Sequence, residues 1–60
     1  MKLYEIDNGR KFISQCTSLI GVITHLKAYN EIVFIEEDAD NPGCYDILTK
    51  NGKIFTVEKE

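Results

Sequence analysis

Tyr45-Asp46-Ile47-Leu48-Thr49-Lys50-Asn51-Gly52-Lys53-Ile54-Phe55-Thr56-Val57 is the stretch that decides the fold. Two runs of β-formers flank Asn51-Gly52. Asn-Gly is the strongest short-range hairpin signal, because a type I′ turn needs positive φ at both central residues. The same grammar stands at the other end of the chain, where Leu3-Tyr4-Glu5-Ile6 precedes Asn8-Gly9 and Lys11-Phe12-Ile13 follows it. Two hairpins are therefore expected.

Pairing outward from each turn assigns faces, because residues directly opposite share one side of a sheet. Taking Asn51-Gly52 as a two-residue loop sets Leu48 opposite Phe55 and Asp46 opposite Val57. The other face then carries Thr49 with Ile54, Ile47 with Thr56, and Tyr45 with Glu58. Around Asn8-Gly9 the same rule groups Tyr4, Ile6 and Ile13 on one face and Leu3 with Phe12 on the other.

Between the hairpins the period changes. Leu19, Val22, Ile23, Leu26 and Tyr29 recur at i, i+3, i+4 and i+7, which predicts an amphipathic helix over 17–30. Ile20 widens its stripe. Thr17 or Ser18 can cap the start, and Asn30 can stop the helix as a left-handed residue. Gly21 interrupts it at a cost of about 1 kcal/mol relative to Ala; a close approach of helix to sheet would account for that. Ile32-Val33-Phe34-Ile35, inside a strand over 31–37, does not alternate, which predicts burial on both faces and a central place in the sheet. Asp38-Ala39-Asp40-Asn41-Pro42-Gly43 is turn chemistry throughout. The expected architecture is one α+β domain over 1–60: a single antiparallel sheet in the order β-β-α-β-β-β, with one helix on one face.

Sixty residues bound what such a domain can do. A chain of this size buries only about 60% of its unfolded surface, and burial and ordering entropy nearly cancel. Ten acids against seven bases give a net charge of −3. That opposes nucleic-acid binding, which wants a concentrated basic patch. Arg10, Lys11, Lys50 and Lys53 read as solvated turn charges. The first residues lack the apolar core of a signal peptide, and no apolar run approaches the ~20 residues of a membrane span. The expectation is a cytoplasmic protein without membrane contact.

The residues offer little chemistry. Cys16 and Cys44 have no metal-type spacing and read as buried thiols. Counted from Asp38, a calcium loop would need an oxygen ligand where Pro42 stands and a Glu where Thr49 stands. His25 is the one histidine, too few for a site with two scattered cysteines. Phosphate-binding loops, zinc-protease helices and nucleophile elbows are absent. No catalytic residue, metal or cofactor is assigned, and an enzyme is not expected. In brevity and acidity the chain is similar to small accessory proteins of phages and mobile elements, many of which inhibit host factors. That likeness is one of size and composition, without a shared motif.

One feature points to a partner. Both faces of the sheet carry large apolar groups, yet one helix covers one face. The surplus calls for closure into a small barrel, a second copy, or another protein. The expected function is a non-enzymatic protein-binding module, homodimeric, that modulates or inhibits another protein. Tyr4, Tyr45, Ile47 and Ile54 are the candidate apolar anchors. Glu36, Glu37, Asp38 and Asp40 are the candidate acidic groups steering a basic partner. Two alternatives are a single-stranded nucleic-acid binder stacking bases on Tyr4 and Tyr45, and a small-ligand binder with its pocket at a dimer interface.

Overall fold

Two chain reversals and one crossing helix organise the sheet. The computed structural model describes residues 1–59. β1 (Lys2–Ile6) and β2 (Arg10–Gln15) form the first hairpin. Helix α1 (Leu19–Lys27) leads to β3 (Ile32–Glu37), and a β3–β4–β5 meander follows through β4 (Tyr45–Thr49) and β5 (Ile54–Glu58). The five strands form one antiparallel sheet in the order β2-β1-β5-β4-β3. The expected α+β class, element order and both reversals are present.

The turns at both Asn-Gly pairs are longer than a two-residue loop, and this reassigns the faces. At the second, Gly52 N–H donates to Thr49 C=O and Thr49 N–H donates to Lys53 C=O, each at 3.0 Å. Gly52 has φ +84°, while Asn51 is not in the positive-φ region. This is a three-residue loop closed by a left-handed glycine, the next commonest hairpin geometry. Leu48 consequently lies opposite Ile54, and Ile47 opposite Phe55. A register slip of one residue moves side chains to the other face. The slip sorts the mixed apolar set: Tyr45, Ile47, Phe55 and Val57 share one side, Leu48 and Ile54 the other.

The first hairpin is corrected the same way. Asn8 (φ +55°) and Gly9 (φ +124°) turn the chain, and Ile6 lies opposite Arg10. Tyr4 lies opposite Phe12 and Leu3 opposite Ser14, which leaves Ile13 as the extra residue of a bulge. Phe12 thus joins Tyr4 and Ile6, whereas Ile13 packs against the core.

The core lies between the helix and one sheet face. Val22 and Leu26 from α1 meet Leu3, Ile47, Phe55 and Val57 from β1, β4 and β5. Met1, Ile13, Cys16, Ile32 and Tyr45 pack around them. Ser18 caps the helix, its Oγ accepting from Gly21 N–H at 3.2 Å. The helix is shorter than the apolar periodicity suggests, and Ile20 and Tyr29 are exposed. Asn30 does not adopt a left-handed conformation; its backbone N–H and its side-chain amide both donate to Leu26 C=O, at 2.9 and 3.1 Å. Gly21 is not a point of close approach to the sheet. A Cβ there would meet Cys16 Cβ at 3.4 Å and Ser18 Oγ at 3.6 Å, which is ordinary contact.

β3 is the largest departure. It is an edge strand, not a central one. Val33, Phe34 and Ile35 are exposed. The apolar run that reads as doubly buried borders solvent on its free side, and Val33 is the extra residue of a bulge between Ile32 and Phe34. No helix among the described residues is long and apolar enough to cross a membrane.

Candidate interaction surface

The open face of the sheet carries a continuous apolar row. The cross-strand partners Ile6–Ile54, Ile54–Leu48 and Leu48–Phe34 run across β1, β5, β4 and β3. These four are 37%, 47%, 38% and 50% exposed. A second row runs beside it: Phe12, Tyr4, Thr56, Asp46 and Glu36. Adjoining exposed apolar groups on one sheet face form the kind of patch that marks interaction sites.

The two ends of this surface differ in charge. At the β1–β2 end the charges are matched. Arg10 donates to Glu58 Oε1 at 2.5 Å, and its guanidinium carbon sits 4.1 Å from the centre of the Tyr4 ring. Phe12 meets Tyr4 edge-on, with ring centres 5.8 Å apart. At the β3–β4 end Glu36 lies directly opposite Asp46, both exposed. Neither makes an ion pair among the described residues. Like charges directly opposite on adjacent strands are unfavourable.

The remaining acids hold the β3–β4 connection. Glu37 Oε2 accepts from Gly43 N–H at 3.1 Å. Asp38 Oδ1 accepts from Asp40 N–H at 2.9 Å and Oδ2 from the Asn41 side-chain amide at 3.1 Å. The Asn41 amide above all, with the Asp40 N–H, holds the Asp38 carboxyl below its ordinary range. Asp40 is exposed.

The residues expected to form the surface therefore divide. Ile54 and Tyr4 are on the open face, and Glu36 is at its edge. Ile47 is a core residue, 1% exposed, and Tyr45 packs on the helix side; both are removed from the open face by the register slip. Ile6, Phe12, Phe34, Leu48 and Asp46 join the surface instead. The signal for them was in the sequence. A three-residue loop Lys50-Asn51-Gly52 sorts the second hairpin into a buried set and a smaller exposed set, which a two-residue loop does not.

Cys16 and Cys44 are free, half-buried thiols. No three metal-ligating side chains converge among the described residues, and no pocket opens among them. No protein-family model, curated protein or solved structure matches the chain.

Proposed function

We propose that this chain is a protein-binding module, without turnover of its own, that modulates or inhibits the protein it docks on. The observation that carries the reading is the row Ile6–Ile54–Leu48–Phe34 on a sheet face that the helix does not cover. An apolar row that spans four strands, with charged groups at its two ends, suits another protein's surface. Interfaces of that kind concentrate binding energy in a few central apolar and aromatic groups. Two features weigh against base stacking. Arg10 covers one face of the Tyr4 ring, and Tyr45 packs against the core.

The test compares the wild-type chain with a Leu48→Lys, Ile54→Lys double variant, each immobilised and exposed to extract of the cell it comes from. The reading expects a partner retained by the wild type and lost by the variant, with unchanged thermal stability. Equal retention by both would overturn the surface assignment. Tight binding of a mixed-sequence single-stranded oligonucleotide at physiological salt would overturn the function. Light scattering on the wild type and the double variant shows whether a second copy covers the same face, because a dimer built there is lost in the variant.

A further inference from the structure

We infer that the free edge of β3 accepts an extended segment of another protein as a sixth strand, with a lysine or arginine set opposite Glu36 and an apolar residue beside Phe34. This rests on the protein-binding reading and names the chemistry of the partner.

The backbone supplies the template. Asp38 N–H donates to Cys44 C=O at 2.8 Å, so residues 38 and 44 are a hydrogen-bonded pair. Bonded and non-bonded pairs alternate along an antiparallel ladder. Glu36–Asp46 and Phe34–Leu48 are then the bonded pairs. The other side of β4 agrees: Thr49 N–H bonds to Lys53 on the β5 side, so alternate residues of β4 serve alternate neighbours. The N–H and C=O of Ile35 and Glu37 consequently point away from β4. Among the described residues no strand lies beyond β3. The bulge at Val33 limits the regular template to the stretch from Phe34 to Glu37.

The two edges of the sheet are not equivalent. Natural edges are guarded by charged side chains, lysine above all. β2 carries Arg10 and Lys11. β3 carries no lysine or arginine: its regular stretch is Phe34-Ile35, exposed and apolar, followed by the acidic Glu36-Glu37. An open edge that is apolar at Phe34 and Ile35 and acidic at Glu36 and Glu37 is a site for strand addition by a segment of opposite charge, in which main-chain bonds give affinity and alternate side chains give specificity.

Charge selects the occupant. A new strand bonded to Ile35 and Glu37 places its intervening residue directly opposite Glu36. Glu36 already faces Asp46 with no counter-ion among the described residues. A cation there converts a repulsive pair into a bridged triad. The same geometry disfavours a second copy of this chain. Two-fold pairing that uses the outward groups of both Ile35 and Glu37 sets Glu36 against Glu36 of the other copy, with two Asp46 carboxylates behind. Centring the pair on Ile35 instead drives Glu37 onto the bulged Val33.

The probe is a blocked synthetic peptide with the palindromic run leucine-valine-lysine-valine-leucine, which fits the edge in either direction. The control has glutamate in place of lysine. Backbone amide exchange of the full chain is followed by NMR as peptide is added. Exchange at Ile35 and Glu37 is expected to slow progressively, about tenfold once free peptide is ten times its Kd. β2 amides stay unchanged, and the glutamate peptide has little effect. Glu36→Lys is expected to invert the preference between the two peptides. Ile35→Pro removes an outward N–H without touching the β4 ladder and is expected to abolish the effect; if that variant does not fold, the Glu36→Lys inversion decides. No slowing up to the solubility limit of the peptide, or equal slowing by both peptides, overturns the proposal. Slowing at these amides that grows with protein concentration alone assigns the edge to a second copy and also overturns it. Peptide failure with partner capture still dependent on Leu48 and Ile54 rejects the edge and leaves the face; failure of both rejects both.

Discussion

Glu36 and Asp46 face each other across β3 and β4 on the open side of the sheet, and no cation among the described residues pairs with either. Such a pair costs roughly 0.2–1 kcal/mol relative to a neutral one. Asp46→Lys replaces repulsion with attraction. It is expected to raise the urea midpoint of the free protein, by about 0.5 kcal/mol in stability, and to reduce the gain from added salt, which screens the wild-type pair. A lowered midpoint would show that the two carboxylates do not repel. If the gain appears while partner binding falls, the pair is a case of stability given up at a functional surface.

Asp38 offers a pH test. The Asn41 side-chain amide and the Asp40 N–H hold its folded carboxyl below the ordinary value of 3.8. A depressed folded pKa contributes stability that is present above the unfolded pKa and is lost as pH falls through the folded one. NMR titration of the Asp38 carboxyl should give a midpoint below that of free aspartate. Asn41→Ala should move it upward, because it removes the largest of the causes. An unmoved midpoint in the variant would refute the assignment.

Gly21 is the third site. Its added Cβ finds ordinary contacts, and glycine inside a helix is about 1 kcal/mol worse than alanine. Gly21→Ala is expected to raise stability by about 0.5–1 kcal/mol. A loss on thermal unfolding would mean that Cys16 or Ser18 cannot give way.

Thr49 governs the loop that sets the register. Its side chain is almost fully buried, its Oγ1 accepts from Lys53 N–H at 3.1 Å, and the hydroxyl bonds to the Asn51 side chain. Thr49→Val keeps the shape and removes these bonds. Leaving the Lys53 N–H without a partner costs roughly 1–2 kcal/mol. Thr49→Ser should recover most of that loss in a urea titration. Equal losses in both variants would assign the effect to packing and not to the hydroxyl.

Local signals in the sequence were reliable where a single residue type decides the backbone. Gly9 and Gly52 mark the reversals because few other residues accept their φ values of +124° and +84°. Ser18 marks the helix start through its own hydroxyl. What the sequence left open was a choice between near-equal local options with distant consequences. A two-residue and a three-residue loop both suit Asn51-Gly52, yet they send Ile47 to opposite faces. The run Ile32–Ile35 reads as buried because burial is the usual reason for such a run. The position of β3 at the sheet edge depends instead on β5 pairing with β1, a contact with no local signature.

Ile47 and Ile54 test the face assignment most directly, because they are the same residue type on neighbouring strands with opposite fates. Ile47 is 1% exposed, between Phe55 across the ladder and the Val22–Leu26 side of the helix; Ile54 is 47% exposed on the open face. Truncating a buried isoleucine to alanine costs about 2–5 kcal/mol through lost burial and the cavity left behind. A core of this size rarely supplies more than about 3–5 kcal/mol in all. Ile47→Ala should therefore leave a large share of the chain unfolded at room temperature by circular dichroism. Ile54→Ala should change stability by about 1 kcal/mol or less and keep the folded spectrum, while weakening any partner that covers the open face. If Ile47→Ala is tolerated as well as Ile54→Ala, the two isoleucines share one open face, the second hairpin pairs in the two-residue register, and the row Ile6–Ile54–Leu48–Phe34 is not the surface this fold presents.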